Sequence, residues 1–549
     1  MTYIIGINAY HGDASACILK DGKLIAAAEE ERFRRIKHWA GFPSLSIKYC
    51  LEHAGVTLAE IDSIAINTNP RSNFFKKILH VLKYRINVKL IRDRFTNAKA
   101  RKNLPELLKK SFPNEKFTGR IKNIEHHHAH LASAFYLSPY EKSAVVSIDG
   151  FGDFASGCWG IGQKENINIF EKIYYPHSLG AFYQSITQFL GFPNYGDEYK
   201  VMGLAPYGKP IYMEKMKKIV KLKKDGSYKL NLDYFNFHKE KVSYEWEDGS
   251  PFVGKLYSKK LIDLLGPERN KESNLQQFHK DIAASAQNMF EEGLFNMLNF
   301  INKKTGLTSI CLAGGCGNNS VANGKISKNT NFKNVYVAAA AGDAGGAIGA
   351  AYVVHHESNS RDVFEAHMDH AYVGPSFSNN FIEKIIKKNI KLLQAGDFEI
   401  KKIDSLSELV QKTAANICEG KVIGWFQGRM EWGPRALGNR SILCDARRPD
   451  MKEILNKKIK RRESFRPFAP SILREHVETW FEEDDEVPFM MKVFTIKEKK
   501  RVEIPAVSHV DGSGRLQTVY KHTNSRYHAL ISEFNRITGV PILLNTSFN

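Results

Sequence analysis

The densest concentration of chemically able side chains is EHHHAHLASAF, residues 125–135. On a helix, His126 and His130 are four apart and share one face, a spacing that suits a single metal ion. Two imidazoles do not complete a site, so carboxylates must come from elsewhere. Asp149, in the SIDGFGD turn, and Asp343, in AAGDAGG, are the candidates. A set of two nitrogens and two oxygens suits iron, manganese or zinc. The spacing alone is also that of histidines that merely cap or decorate a helix. His11 follows a predicted strand beside Asp13 and is a candidate base near neutral pH. A lone turn histidine is also compatible with a structural role.

Two further groups of residues fit anionic ligands. Gly314 and Gly315 allow a nucleotide to lie against the backbone, and Asn319 and Asn323 offer amides for ribose or base. A plain tight turn would use the same glycines, and no Walker loop occurs here. Farther on, Arg429, Arg435 and Arg440, then Lys460, Arg462 and Arg466, then Arg515 stand in loops rich in glycine and proline. Guanidinium forks bind phosphate oxygens in two-point contacts, so these loops read as a phosphate pocket. The alternative is a solvated basic surface, which Phe465, Pro467, Phe468 and Pro470 around Arg466 make less fitting.

The elements that must position these residues are α/β in pattern. YIIGINAY is a strand, and ACILK-DG-KLIAAAEEE reads as a hairpin about the Asp21-Gly22 pair. AVVSIDGFGDFASGCWGIG repeats the strand–turn–strand plan, which points to a duplicated α/β domain whose turns face a common cleft. SICLAGGCGNNSVANGKI runs from strand through the glycine pair into a helix. Residues 356–375 read as a linker between domains 1–355 and 376–549. In the second domain Ser405 to Glu408 forms a capping box, Leu406, Leu409, Val410 and Ile417 share a helical face, and KVIGWF reads as a buried strand.

Composition sets the frame. A chain of 549 residues exceeds one core, and 43% hydrophobic with 25% charged residues is ordinary for a folded protein. No apolar run reaches the roughly eighteen residues needed to span a bilayer, and the N-terminus lacks a secretory h-region. A cytoplasmic location is the default expectation. Seven scattered cysteines argue against a disulfide framework, and Cys311 and Cys316 read as packing residues. Much of the +20 net charge lies in residues 71–121, where Phe75, Ile78, Leu79, Leu82 and Ile86 recur at helical spacing and Lys76 and Lys83 fall on another face. That basic helix is a solvated insertion or a surface for anionic substrates, nucleic acid or an anionic membrane.

Taken together, the stretches EEERFRRIKH, EHHHAHLASA, GDEYKVMGLAPYG, AGGCGNNSVANGKI, AAGDAGGAIGAA, QGRMEWGPRALGNRSIL, RESFRPFAPS, GRLQTV and PILLNTSFN resemble the O-carbamoyltransferases of the nodulation and cephamycin type, which include the tobramycin-modifying enzyme. They recur in family order across nearly the whole chain. The resemblance implies an N-terminal actin/sugar-kinase-like domain, close to the tRNA threonylcarbamoyl-transfer protein. It also implies a C-terminal α/β domain of the threonylcarbamoyl-AMP synthase type. In such enzymes carbamoyl phosphate is cleaved in the C-terminal domain, carbamate is joined to ATP as carbamoyl-adenylate, and the N-terminal domain passes the carbamoyl group to a hydroxyl of a small molecule or saccharide. By position His126, His130, Asp149 and Asp343 match the family's metal ligands, for Fe2+ foremost, with Mn2+, Zn2+ or Mg2+ as alternatives. Lys37, Gly314, Gly315 and Asn319 match its ATP contacts, and His11, with Asp13 beside it, its base. Arg429, Arg435, Lys460 and Arg515 fall in the carbamoyl phosphate stretches.

Two departures stand out. Asn318 replaces an apolar residue before Asn319, which bears on packing of the nucleotide loop. Relatives continue well beyond NTSFN, so a C-terminal domain truncated at Asn549 is expected to leave one wall of its pocket incomplete. The competing readings are a tRNA threonylcarbamoyl-modifying enzyme and a basic binding module without activity. No obligatory nucleic acid and no transmembrane segment are expected.

Overall fold

The computed structural model describes residues 1–84, 103–238, 244–245, 249–358, 367–396 and 398–548. The chain divides into two compact units, Met1–Met368 and Asp369–Asn549. The division falls inside the stretch read as a linker, of which residues 359–366 lie outside the described residues.

The first unit holds the same sheet twice. Strands β1 (Tyr3–Asn8), β2 (Ser15–Lys20), β3 (Lys23–Glu29), β4 (Ser63–Ile66) and β5 (Arg120–Asn123) pair in the order β3-β2-β1-β4-β5. Strands β6 (Lys142–Gly152), β7 (Ala155–Gln163), β8 (Asn166–Tyr174), β9 (Ser309–Ala313) and β10 (Asn334–Val337) pair in the order β10-β9-β6-β7-β8. In each, the first strand is antiparallel to the second and parallel to the fourth. The duplication read from two strand–turn–strand segments is thus a duplication of whole sheets. The hairpin at Asp21-Gly22 forms where expected, with both residues at positive φ.

Helix α1 (Phe74–Tyr84) is the predicted basic helix. Its apolar row points outward, with Phe75 at 81% and Leu82 at 70% exposure, while His80 is buried. Ile86 lies outside the described residues. Helices α2 (His126–Phe135), α3 (Gln277–Thr305), α4 (Ser320–Asn329) and α5 (Gly345–Ser358) build the site. Small residues let α5 lie close to α2. A side chain at Gly349 would come within 1.8 Å of the Ala129 carbonyl oxygen, so only glycine fits. Close packing of α2 on α5 is what carries the histidines towards Asp343.

The second unit is a six-stranded mixed sheet. Strands β11 (Ile423–Phe426), β12 (Arg440–Asp445), β13 (Ala469–Leu473), β14 (Lys492–Thr495), β15 (Ser513–Val519) and β16 (Ile542–Ser547) pair as β11-β12-β16-β13-β15-β14. Helices α6 (Leu406–Cys418) and α7 (Ser525–Thr538) complete its core, where Val410, Ile417, Leu530 and Phe534 are buried. Two expectations need correction. KVIGWF is an edge strand, not a buried one: only Trp425 of β11 is buried and Phe426 is 53% exposed, because an edge lacks a neighbour on one side. The Ser405 side chain caps α6 by accepting from the Glu408 N–H at 3.3 Å, yet Leu406 in the first turn of that helix is exposed.

Candidate metal and phosphate sites

The N-terminal site begins with α2. Glu125 caps the helix by accepting from the His128 N–H at 2.8 Å, and the helical repeat then stacks His126 over His130. Their Nε2 atoms lie 3.0 Å apart. The Oδ2 atom of Asp149 is 3.2 Å from the first and 3.0 Å from the second. Asp343 Oδ1 stands at 3.6 and 3.5 Å. The donor atoms of all four residues fall within 4.8 Å of one another. A metal with bonds of about 2.1 Å separates adjacent ligand atoms by about 3.0 Å at right angles and about 3.4 Å at tetrahedral angles. The observed separations fit that range, so the four side chains can hold one divalent ion. His127 is not part of the set. It bonds Ser147 Oγ at 2.9 Å, and burial lowers its pKa to about 4.

Charge follows the same geometry. Burial alone would depress His126, but the Asp149 hydrogen bond and the Asp343 and Asp149 charges overcome it and raise its pKa to about 10. Burial opposes ionisation of Asp149 too, and its bonds to His126 and His130 hold it well below the usual carboxylate range. Asp343 is raised by burial and by the Asp149 charge beside it. The cluster therefore takes up protons readily, as a cation site does.

Asp149 is not in a turn, as its sequence setting implied. It lies in the irregular end of β6, where the ladder to β7 slips between Ile148 and Gly152. Gly314 has φ +87°, and a side chain there would meet the Ile148 carbonyl oxygen at 2.2 Å. The glycine pair consequently lies against β6, and the Gly315 N–H donates to Asp149 Oδ1 at 3.2 Å, joined by Gly150 N–H at 2.7 Å. Asn319 caps α4 through the Ala322 N–H at 3.1 Å, and its amide pairs with Gln287 at 3.0 and 3.1 Å.

His11 sits over His126, ring centres 5.4 Å apart. The Asp13 carboxylate meets His38 Nδ1 at 2.7 Å, because Asn8 Nδ2 grips the Gly12 and Asp13 carbonyls and turns the loop towards residue 38. Burial works against both charges, and the pair's attraction still lowers Asp13 and raises His38. Lys37 lies with its ammonium 5.1 Å from the Tyr199 ring centre. Glu198, in the same GDEYK segment as Tyr199, is pushed up to about 7 by burial. His38 and Glu198 carried no spacing signal; only the fold brings them to this loop.

The C-terminal site is built from guanidinium groups. Arg435, Arg462, Arg466 and Arg515 are half-buried, and burial followed by the charges of the other three drives Arg515 well below the ordinary arginine range. Burial lowers Arg435 to about 10. Arg462 is steadied by Asn456 Oδ1 at 2.7 Å and by the Phe468 ring, 4.5 Å from its guanidinium. Glu431 shapes the loop that carries Arg435: its Oε1 accepts from the N–H groups of Leu437, Asn439 and Arg440 at 2.9, 2.8 and 3.0 Å. Arg429 and Arg440 are used differently. Arg429 bonds the Val373 and Gly374 carbonyls, and Arg440 those of Pro375, Gln427, Gly428 and Asn439. Lys460 Nζ bonds the Ser547 carbonyl at 2.5 Å, at the end of β16.

Comparison with known proteins follows the same division. The carbamoyltransferase N-terminus family matches residues 3–352, and the carbamoyltransferase C-terminus family matches residues 414–549. The chain belongs to the carbamoyltransferase family. Nodulation protein NolNO of Sinorhizobium fredii is 38% identical over 547 residues, 99% of this chain and 75% of that protein. Nodulation protein NolO of Bradyrhizobium diazoefficiens is 39% identical over 78% of this chain and 73% of its own. A Synechocystis protein, sll1178, is 39% identical over 100% of this chain and 91% of its own. Among solved structures, HypF of T. kodakarensis covers 65% of this chain and 47% of its own at 12% identity and a TM-score of 0.33, too slight a likeness to bear on the site. The protein is a carbamoyltransferase, so it requires a carbamoyl donor and an acceptor. Among the described residues no helix is long and apolar enough to cross a membrane.

Proposed function

We propose that this carbamoyltransferase takes the carbamoyl group of carbamoyl phosphate, activates it with ATP as carbamoyl-adenylate, and passes it to a hydroxyl of a small molecule or saccharide. The observation that carries the reading is the cluster of Arg435, Arg462, Arg466 and Arg515. Burial and the charges of Arg435, Arg462 and Arg466 depress Arg515, and a phosphate placed among these guanidinium groups would accept their forked contacts and relieve that repulsion. These residues would hold the phosphoryl oxygens of carbamoyl phosphate. Lys460 and Arg429, also expected from family position, donate to backbone carbonyls and would shape the pocket as well as offer their remaining donors to the anion.

Each step balances in atoms and charge. Water cleaves carbamoyl phosphate to carbamate and phosphate. A carbamate oxygen attacks the α-phosphorus of ATP, and pyrophosphate leaves. The acceptor hydroxyl then attacks the carbamoyl carbon, its proton goes to a base, and AMP leaves. Carbamate is a poor acylating agent and adenylate a good leaving group, which is why ATP is spent. In the N-terminal unit His126, His130, Asp149 and Asp343 would hold a divalent ion, Fe2+ foremost by the family resemblance, that would orient nucleotide phosphates and offset their charge. Lys37 and the Gly314–Gly315 turn are the nucleotide contacts in this reading. Asn319 would first have to exchange its Gln287 pairing. His11, beside His126, is the candidate base, and the Asp13–His38 pair holds its loop.

The test is pyrophosphate release from ATP by the full chain with and without carbamoyl phosphate. Release should depend on carbamoyl phosphate, and release indifferent to it would overturn the reading.

A further inference from the structure

The tip between β6 and β7 is a two-residue turn, Asp153-Phe154, with φ of +48° and +73°. Both central residues at positive φ define a turn that normally takes asparagine and glycine, and phenylalanine there is costly. Something must hold it. The Phe154 ring packs on His80 and Tyr175, ring centres 5.4 Å away in each case. The Asp153 carboxylate is more telling. Its Oδ2 accepts from the Asn69 N–H at 2.7 Å and from the His126 N–H at 2.9 Å. Its Oδ1 accepts from Thr68 Oγ1 at 3.1 Å, and its carbonyl from Asn73 Nδ2 at 2.8 Å.

The His126 amide is the first of α2, one of the N–H groups a helix leaves without an internal partner. A carboxylate that takes it up fixes the helix start in place and favours the dipole. The preceding residue presses on the same histidine from another side: a side chain at Gly152 would come within 2.0 Å of the His126 ring. Asp149 lies on the same strand, three residues before Gly152. One short segment therefore supplies a carboxylate of the cluster and fixes the backbone of a histidine in it.

We infer that Asp153 is a positioning residue for the metal site: it anchors the start of α2 so that His126 Nε2 meets His130 Nε2 and Asp149 at ligand separation. This rests on the metal reading of the His126–His130–Asp149–Asp343 cluster. The residue contributes no ligand atom and acts through His126.

Two substitutions separate anchoring from general damage. Asp153→Gly keeps a residue at ease with positive φ but deletes the acceptors. Asp153→Asn keeps an oxygen able to accept both N–H groups. In the full chain, Mn2+ titrated by calorimetry should bind Asp153→Asn within about threefold of wild type. It should bind Asp153→Gly about ten- to a hundredfold more weakly, the usual effect of losing a residue that orients a ligand. In the metal-free proteins, amide hydrogen exchange over residues 126–130 should speed up in Asp153→Gly alone. Unchanged Mn2+ affinity with unchanged exchange in Asp153→Gly overturns the inference. Should Asp153→Gly not fold, Thr68→Val removes one of the three donors and is read instead: a weakened affinity supports the anchor, and an unaltered one overturns it. His126→Ala is the separate control. If it binds Mn2+ as wild type does, the metal reading fails, and the exchange rates alone then decide whether Asp153 anchors α2.

Discussion

In the N-terminal unit two carboxylates converge on two imidazoles, whereas in the C-terminal unit four guanidinium groups crowd together half-buried. The first sets carboxylates against imidazoles that take up protons, whereas the second holds like charges close. They differ in how they are held. The histidines stand on a regular helix whose repeat spaces them. Arg435, Arg462 and Arg466 stand on loops, with Glu431 gathering three N–H groups and Arg429 and Arg440 gathering carbonyls, whereas Arg515, expected in a loop, stands on strand β15. The histidine cluster follows from spacing along a helix, while the arginine cluster depends on segments far apart in sequence whose neighbouring arginines are partly structural.

The sharpest way to break the contrast is to remove each site alone. His126→Ala or His130→Ala should abolish stoichiometric metal, read by elemental analysis, and leave inorganic phosphate release from carbamoyl phosphate within about tenfold of wild type. Arg515→Ala should do the reverse, keeping the metal and lowering that phosphate release about a hundredfold, the scale of losing a charge-assisted contact in a half-buried site. Loss of both properties in either variant would mean that the two sites are not separable.

Acidity distinguishes the sites as well. His126 is raised to about 10, so at neutral pH it carries a proton in the metal-free protein that the metal must displace. Metal affinity should then rise as pH increases from 6 towards 9, by about tenfold per unit for each proton released. Affinity that does not vary over that range would contradict a protonated His126 in the metal-free protein. The lowered Arg435 and Arg515 lose charge, if at all, as pH rises, so phosphate-dependent steps should not strengthen with pH as metal binding does. The smallest effect concerns the scaffold. Glu431→Ala leaves three backbone N–H groups without their acceptor and should cost about 2 kcal/mol in denaturant unfolding. Glu431→Gln, which keeps an oxygen, should cost less.

What could be read along the chain was whatever depends on near neighbours. The His126–His130 face follows from the helical repeat, and the Asp21-Gly22 hairpin from the φ its turn demands. The strand–glycine–helix passage at residues 309–329 follows from the same local rules, and the family words set the whole in order. Tertiary structure decided the rest, because those choices are made between segments far apart in sequence. Asp13 beside His11 could not reveal that Asn8 turns its carboxylate to His38. A row of arginines could not show which of them gather around Arg515 and which bind carbonyls. The aspartate of DGFGD that anchors α2 is silent until a hairpin folds it against the first helical amide. Spacing determines which side chains share a face. Only packing determines what that face meets.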